Sequence, residues 1–182
     1  MEADTAGAKL RREDARKAKE AADQLFPDEK WKFVEEGIFV SSRRAIGKKS
    51  NYTDELRDAQ ILRDLGSIVY LVPEQSRRSG RKFDAIVNGL PFEFKNVGGN
   101  ANTLEHQFLR SRSQAPNVFI NLETSNLTKR QIMFTLYRAR DKAGTDTSHG
   151  YSYYNKFKGG KIILKIREQE SLIYLSVDDL KT

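Results

Sequence analysis

The chain has no cysteine. It forms no disulfide, offers no thiolate to a metal, and folds independently of redox compartment. Imidazole is scarce too. Only His106 and His149 can supply it, far apart and without companion ligand spacing, so no structural zinc site is expected. No apolar run approaches the ~20 residues that span a bilayer. No signal-peptide pattern opens the chain, so no membrane anchor is expected. Internal repeats are absent, and the only biased tract is a charged run at the start. Hydrophobic content is low at 38%, but ten Phe and seven Tyr can build a core.

What is abundant is positive charge. Lys and Arg total 32 against 25 Asp and Glu, a formal charge of +7 and a pI near 9.5. The excess sits mainly after residue 50. Basic charge of this kind binds phosphate through counterion release, and it also serves plain solubility. A length of 182 residues suits one domain with an appendage. Residues 1–47 read as a charged helical segment or linker, rich in Ala, Lys, Arg and Glu and interrupted by Pro27. Residues 48–182 read as the functional domain. Trp31, Phe33, Val34, Ile38, Phe39 and Val40 are apolar enough to dock onto something. SSRRAIGKKSN after them reads as a loop.

The most informative stretch is DAIVNGLPFEFK, from Asp84 to Lys95. Asn88-Gly89 is the strongest short-range hairpin signal, because both turn residues must accept positive φ. A two-residue turn fixes the register, so Asp84 opposes Glu93 and Ala85 opposes Phe92. Opposed residues share a side of the sheet with Cβ atoms ~5 Å apart. Lys95, two positions beyond Glu93, shares that side, while Phe92 and Phe94 face the other way. Opposed carboxylates repel, and a divalent cation removes the conflict. Mg²⁺ or Mn²⁺ takes oxygen ligands, held by one or two carboxylates plus substrate phosphate. Such a metal polarises a phosphoryl oxygen and generates a nucleophilic water, and a nearby Lys neutralises developing charge. Removing either acid is expected to leave folding intact, and even to raise stability slightly by relieving repulsion. The same residues also fit a solvated polar face with an incidental Glu93–Lys95 pair.

Upstream, YTDELRDAQILRDL has helical periodicity and stops at Gly66. Leu56, Ala59, Leu62 and Leu65 form its apolar arc, with Glu55 near the middle and Asp58 nearer the edge. An acid on a buried stripe is seldom tolerated without a partner, which makes Glu55 a candidate third ligand. Downstream, NTLEHQFLRSRSQA reads as a helix capped by Asn102 with Glu105 three residues on. A further helix is expected from about Thr128 to Lys142, its stripe Ile132, Met133, Leu136 and Tyr137. Arg110, Arg112 and Arg130 are candidate phosphate contacts. In YSYYNKFKGGK, Tyr153 and Tyr154 interleave with Lys156 and Lys158, a pattern that stacks unpaired bases while holding the backbone. Tyr equally fits β-strands by shape. KIILKI and LIYLSV read as a closing hairpin that extends the sheet or forms a small second one.

Taken in order, the Glu55 helix, SIVYLVPE, KFDAIV, FEFKNV, NTLEHQFLRSRSQA and NVFINL resemble the PD-(D/E)xK nuclease core. Asp84 and the Glu93-Phe94-Lys95 triplet stand at the D…ExK positions, and the first motif acid maps onto Glu55. The helix ending in Leu-Gly, the strand closing in LVPE and NG between strands are similar to the C-terminal tRNase domains of CdiA-type contact-dependent growth inhibition toxins. The likeness covers residues 51–122. It implies an α/β fold, an α-β-β-β-α-β core with a mixed sheet flanked by helices. It implies a metal-dependent endonuclease with Glu55, Asp84, Glu93 and Lys95 as its site and Mg²⁺ or Mn²⁺ as cofactor. It further implies a toxin acting on tRNA in the cytoplasm of a target bacterium, and a cognate immunity protein. Three alternatives stay open: a DNA endonuclease with the same core, a metal-independent RNase using His149 with Tyr and Lys, and a non-catalytic nucleic-acid-binding module.

Overall fold

The computed structural model describes residues 2–44, 51–73, 83–145, 160–167, 169 and 171–180, with side chains described outside 2–10 and 142–145. The described residues form a mixed α/β protein of eight strands and four helices, and the chain divides into two compact units, Met1–Pro91 and Phe92–Thr182.

The first unit opens with helix α1 (Glu2–Leu25), whose Ala18 and Ala22 are buried. Strands β1 (Trp31–Glu35) and β2 (Ile38–Ser41) follow as an antiparallel pair, turned at Gly37 with φ +78°. The sequence offers these residues only as apolar docking groups, because their pattern does not alternate cleanly. Helix α2 (Tyr52–Asp64) ends on Gly66 at φ +87°, as its sequence predicts. Strand β3 (Val69–Leu71) pairs parallel with β2 and antiparallel with β4 (Ala85–Val87), giving the order β1-β2-β3-β4. Phe26 meets Trp31 and Phe83 edge-on, and Trp31 meets Tyr70 with centroids 5.1 Å apart. Residues on both sides of position 47 thus belong to one unit.

The Asn88-Gly89 turn forms as expected. Asn88 sits at φ +48° and Gly89 at φ +82°. The Asn88 N–H donates to the Ile68 carbonyl at 2.9 Å, and Asn88 Oδ1 accepts from the Ile68 N–H at 2.8 Å. A Cβ on Gly89 would approach the Ala21 Cβ to 3.3 Å, so space as well as φ favours glycine there.

Strand β5 (Leu90–Asn96) begins just before the unit boundary and runs into the second unit. It pairs parallel with β6 (Asn117–Leu122), which pairs parallel with β7 (Lys161–Ile166), and β7 pairs antiparallel with β8 (Ile173–Ser176). The closing hairpin extends this sheet. Every residue of β6 is buried, the mark of a parallel strand covered on both faces. Helices α3 (Ala101–Ser111) and α4 (Lys129–Thr145) supply Leu104, Phe108, Ile132, Leu136 and Ala139 to the core over Val118, Ile120 and Leu164. A 3₁₀ turn at Val177–Asp179 is closed by a capping box between Ser176 and Asp179.

Three local expectations are corrected. The cap of α3 is Asn100, not Asn102: its side chain accepts from the Thr103 N–H at 3.2 Å, and the helix starts at Ala101. Glu105, freed from a capping role, is buried and bonded to Arg138 instead. The stripe of α4 runs through Ile132, Thr135, Leu136 and Ala139, leaving Met133 and Tyr137 half-buried. The buried face of α2 holds Glu55, Asp58, Ala59 and Leu62, with Leu65 47% exposed. That face turns Glu55 inward, where the buried Arg44 pairs with it.

Candidate functional site

Strand β5 alternates as its sequence requires. Phe92 and Phe94 are buried, and Phe94 packs edge-on against Phe119 with centroids 5.6 Å apart. Glu93, on the other face, is also buried, at 2% exposure. Its register partner on β6 is Val118, and that of Lys95 is Ile120. Lys95 Nζ donates to Glu93 Oε1. The face is therefore not a solvated one: the sequence puts a carboxylate into the interior of the second unit and supplies its counter-charge two residues later. A carboxylate there without a partner would cost several kcal/mol, roughly the desolvation penalty of one ion.

In the first unit, Glu55 stands on the buried face of α2, and its carboxylate is ion-paired with the Arg44 guanidinium. Arg44 is 6% exposed, and its Nη1 donates to the Val72 carbonyl. The Val72 N–H in turn donates to the Asp84 carbonyl at 3.1 Å. Asp84, half-buried, sits immediately before β4. Arg44 thus joins the Glu55 carboxylate to the backbone that carries Asp84. Asp58 is fully buried one turn after Glu55. The sequence names Glu55 but leaves Arg44 in a polar loop. The available signal was the need of a buried acid for a nearby cation, and the adjacent Arg43-Arg44 pair could have answered it.

The other basic residues separate. Arg110 and Arg130 are exposed. Arg112, expected to approach phosphate, is 3% exposed. It donates to the Pro116 carbonyl at 2.8 Å and lies 5.9 Å from the Phe108 ring centroid. Burial lowers its pKa to about 10. A Cβ at Gly160 would come within 2.8 Å of its guanidinium nitrogens. Arg112 is a packed structural side chain, since its charge is spent on backbone and ring. Tyr153, Tyr154, Lys156, Lys158 and His149 lie outside the described residues.

Among the described residues, no three His, Asp or Glu side chains are gathered closely enough to hold a metal ion. Glu55 is paired with Arg44 and Glu93 with Lys95. Like Asp84, both carry the hard carboxylate oxygens that suit Mg²⁺ or Mn²⁺. No described helix is long and apolar enough to cross a membrane.

No family model matches the chain, and no curated protein matches it. A solved chain from a CdiA-CT/CdiI toxin and immunity complex of Burkholderia pseudomallei is similar to it at 20% identity. That match covers 75% of this chain and 98% of that one, with a TM-score of 0.47.

Proposed function

We propose that the chain is a metal-dependent nuclease, a bacterial toxin domain that cleaves tRNA. The observation that carries the reading is the buried Glu93–Lys95 pair on β5, reached from Asp84 through β4 and the Asn88-Gly89 turn. A surface triplet of this kind would be incidental, whereas burying both charges costs stability and calls for a use. The order of elements α2, β3, β4, β5, α3, β6 is the one the nuclease resemblance implies. The net charge of +7 supports a polyanionic partner.

Asp84 and Glu93 supply the ligating oxygens. Bound Mg²⁺ or Mn²⁺ provides Lewis-acid polarisation of a phosphoryl oxygen and a water of lowered pKa. Lys95, which donates to Glu93, would offer its N–H donors to the attacking water or to charge on the phosphate. Glu55 acts through Arg44, which ties α2 to the strand segment leading to Asp84. The toxin role and the choice of tRNA rest on the sequence resemblance. The same resemblance supports action in the cytoplasm of a target cell and a cognate immunity protein as inhibitor.

The test is incubation with total RNA and with plasmid DNA, each in Mg²⁺ and in EDTA. Loss of tRNA in Mg²⁺ only is expected. Plasmid cutting with intact tRNA reassigns the substrate to DNA, and RNA cleavage in EDTA removes the metal. In a bacterium, expression should arrest growth, Glu93→Gln should abolish the arrest, and normal growth with soluble protein would count against a toxin.

A further inference from the structure

Phe134 on α4 is 62% exposed, while the apolar stripe of that helix points elsewhere through Ile132, Leu136 and Ala139. Its neighbours one turn on either side are Arg130, exposed, and Arg138, whose side chain is 44% exposed. Residues four apart lie on one helix face, rising about 6 Å per step. The face therefore reads cation, ring, cation. From Lys129 to Arg140 the helix carries no acid. Asp141 follows three residues after Arg138, and Glu105 of α3 accepts from Arg138 through bonds of 2.6 and 3.1 Å. Those bonds also hold Arg138 in a fixed pose, which lowers the entropy cost of using it. A ring this exposed does nothing for the core, and its neighbours four residues away on either side are cations, Arg130 and Arg138.

We infer that the Arg130–Phe134–Arg138 face of α4 binds a single-stranded nucleic-acid segment, with one unpaired base stacked on Phe134 and phosphates beside the two arginines. The inference rests on the nuclease reading for its ligand class. Stacking is tolerant of sequence, since every base has a π-face, and the flanking cations track the backbone. Duplex ends offer no such base, so the face prefers loops and overhangs. It adds Phe134 and Arg138 to Arg130, and gives the protein a means of choosing unpaired RNA regions without reading sequence.

The full chain is titrated in EDTA with a fluorescent single-stranded RNA oligonucleotide and with a duplex of the same length, at several salt concentrations. Phe134→Ala should weaken single-strand affinity about tenfold and leave duplex affinity alone. Phe134→Tyr should restore it, and Phe134→Leu should not. Arg130→Gln should lower the salt slope by about one. Circular dichroism should show all four variants folded, because both sites are exposed. Unchanged single-strand binding in Phe134→Ala overturns the inference, as does an equal effect on duplex. So does unchanged RNA binding with loss of an inhibitor protein's binding, which would make the face a protein interface. Stacking through Phe134 without any cleavage keeps this inference and removes the nuclease reading, while full cleavage with unchanged affinity in Phe134→Ala does the reverse.

Discussion

The Arg44 guanidinium is paired with the Glu55 carboxylate in the interior of the first unit, and the same guanidinium holds the Val72 carbonyl. A buried charge with its partner removed is more costly than no charge at all. Arg44→Met should therefore destabilise by about 3–5 kcal/mol, and Arg44→Met with Glu55→Met by clearly less. Urea unfolding of both variants measures this. Equal losses in the two would mean the pair contributes only packing.

Glu93 and Lys95 reverse an expectation drawn from the sequence. Relief of carboxylate repulsion predicts a slight gain in stability on removing the acid. With Lys95 bonded to Glu93, Glu93→Ala leaves a mostly buried ammonium behind and should cost about 1–3 kcal/mol or more. Glu93→Gln keeps a hydrogen-bond acceptor, so it should fold nearly as wild type yet lose metal-dependent cleavage. Lys95→Ala should cut turnover about 10²–10³-fold. Thermal unfolding alongside single-turnover cleavage separates the two effects, and full activity in Asp84→Ala would remove the site.

Glu29 sets an acid limit on the first unit. Burial pushes its carboxyl up, but hydrogen bonds from Ser41, Arg43 and Ser42 more than offset this and hold it below the ordinary value of 4.5. The Arg43 Nε bond is 2.7 Å long. A depressed folded pKa means stability that is fully present above the unfolded pKa and lost as pH falls through the folded one. Denaturation midpoints should drop below about pH 4.5, and Glu29→Gln should flatten that part of the curve while lowering its plateau. An unchanged acid slope in the variant would place the acid sensitivity elsewhere.

The cap of α3 can be checked directly. Asn100→Ala should cost about 1 kcal/mol, because its Oδ1 accepts the Thr103 N–H at 3.2 Å. Asn102→Ala, at an exposed position inside the first turn, should change stability by a few tenths at most. Chemical denaturation of the two variants decides it.

The sequence determined several features whose cause is local, though it placed the cap of α3 two residues late. Asn88-Gly89 specified a turn with both φ values positive, since few other residues accept them. Gly66 ended α2, the 3.6-residue period located α2, α3 and α4, and the alternation of Phe92 to Lys95 set the two faces of β5. The tertiary structure decided which partner meets each charge. Glu55 was legible as an acid in the wrong place. That Arg44 answers it, and that Arg112 turns inward to Pro116, depends on chain segments brought together only by folding. The same holds for β1 and β2, whose mixed pattern is read as strand once they pair with each other and β2 pairs with β3. Local backbone preference is written residue by residue. The neutralisation of a buried charge belongs to two distant residues at once, and no periodicity records it.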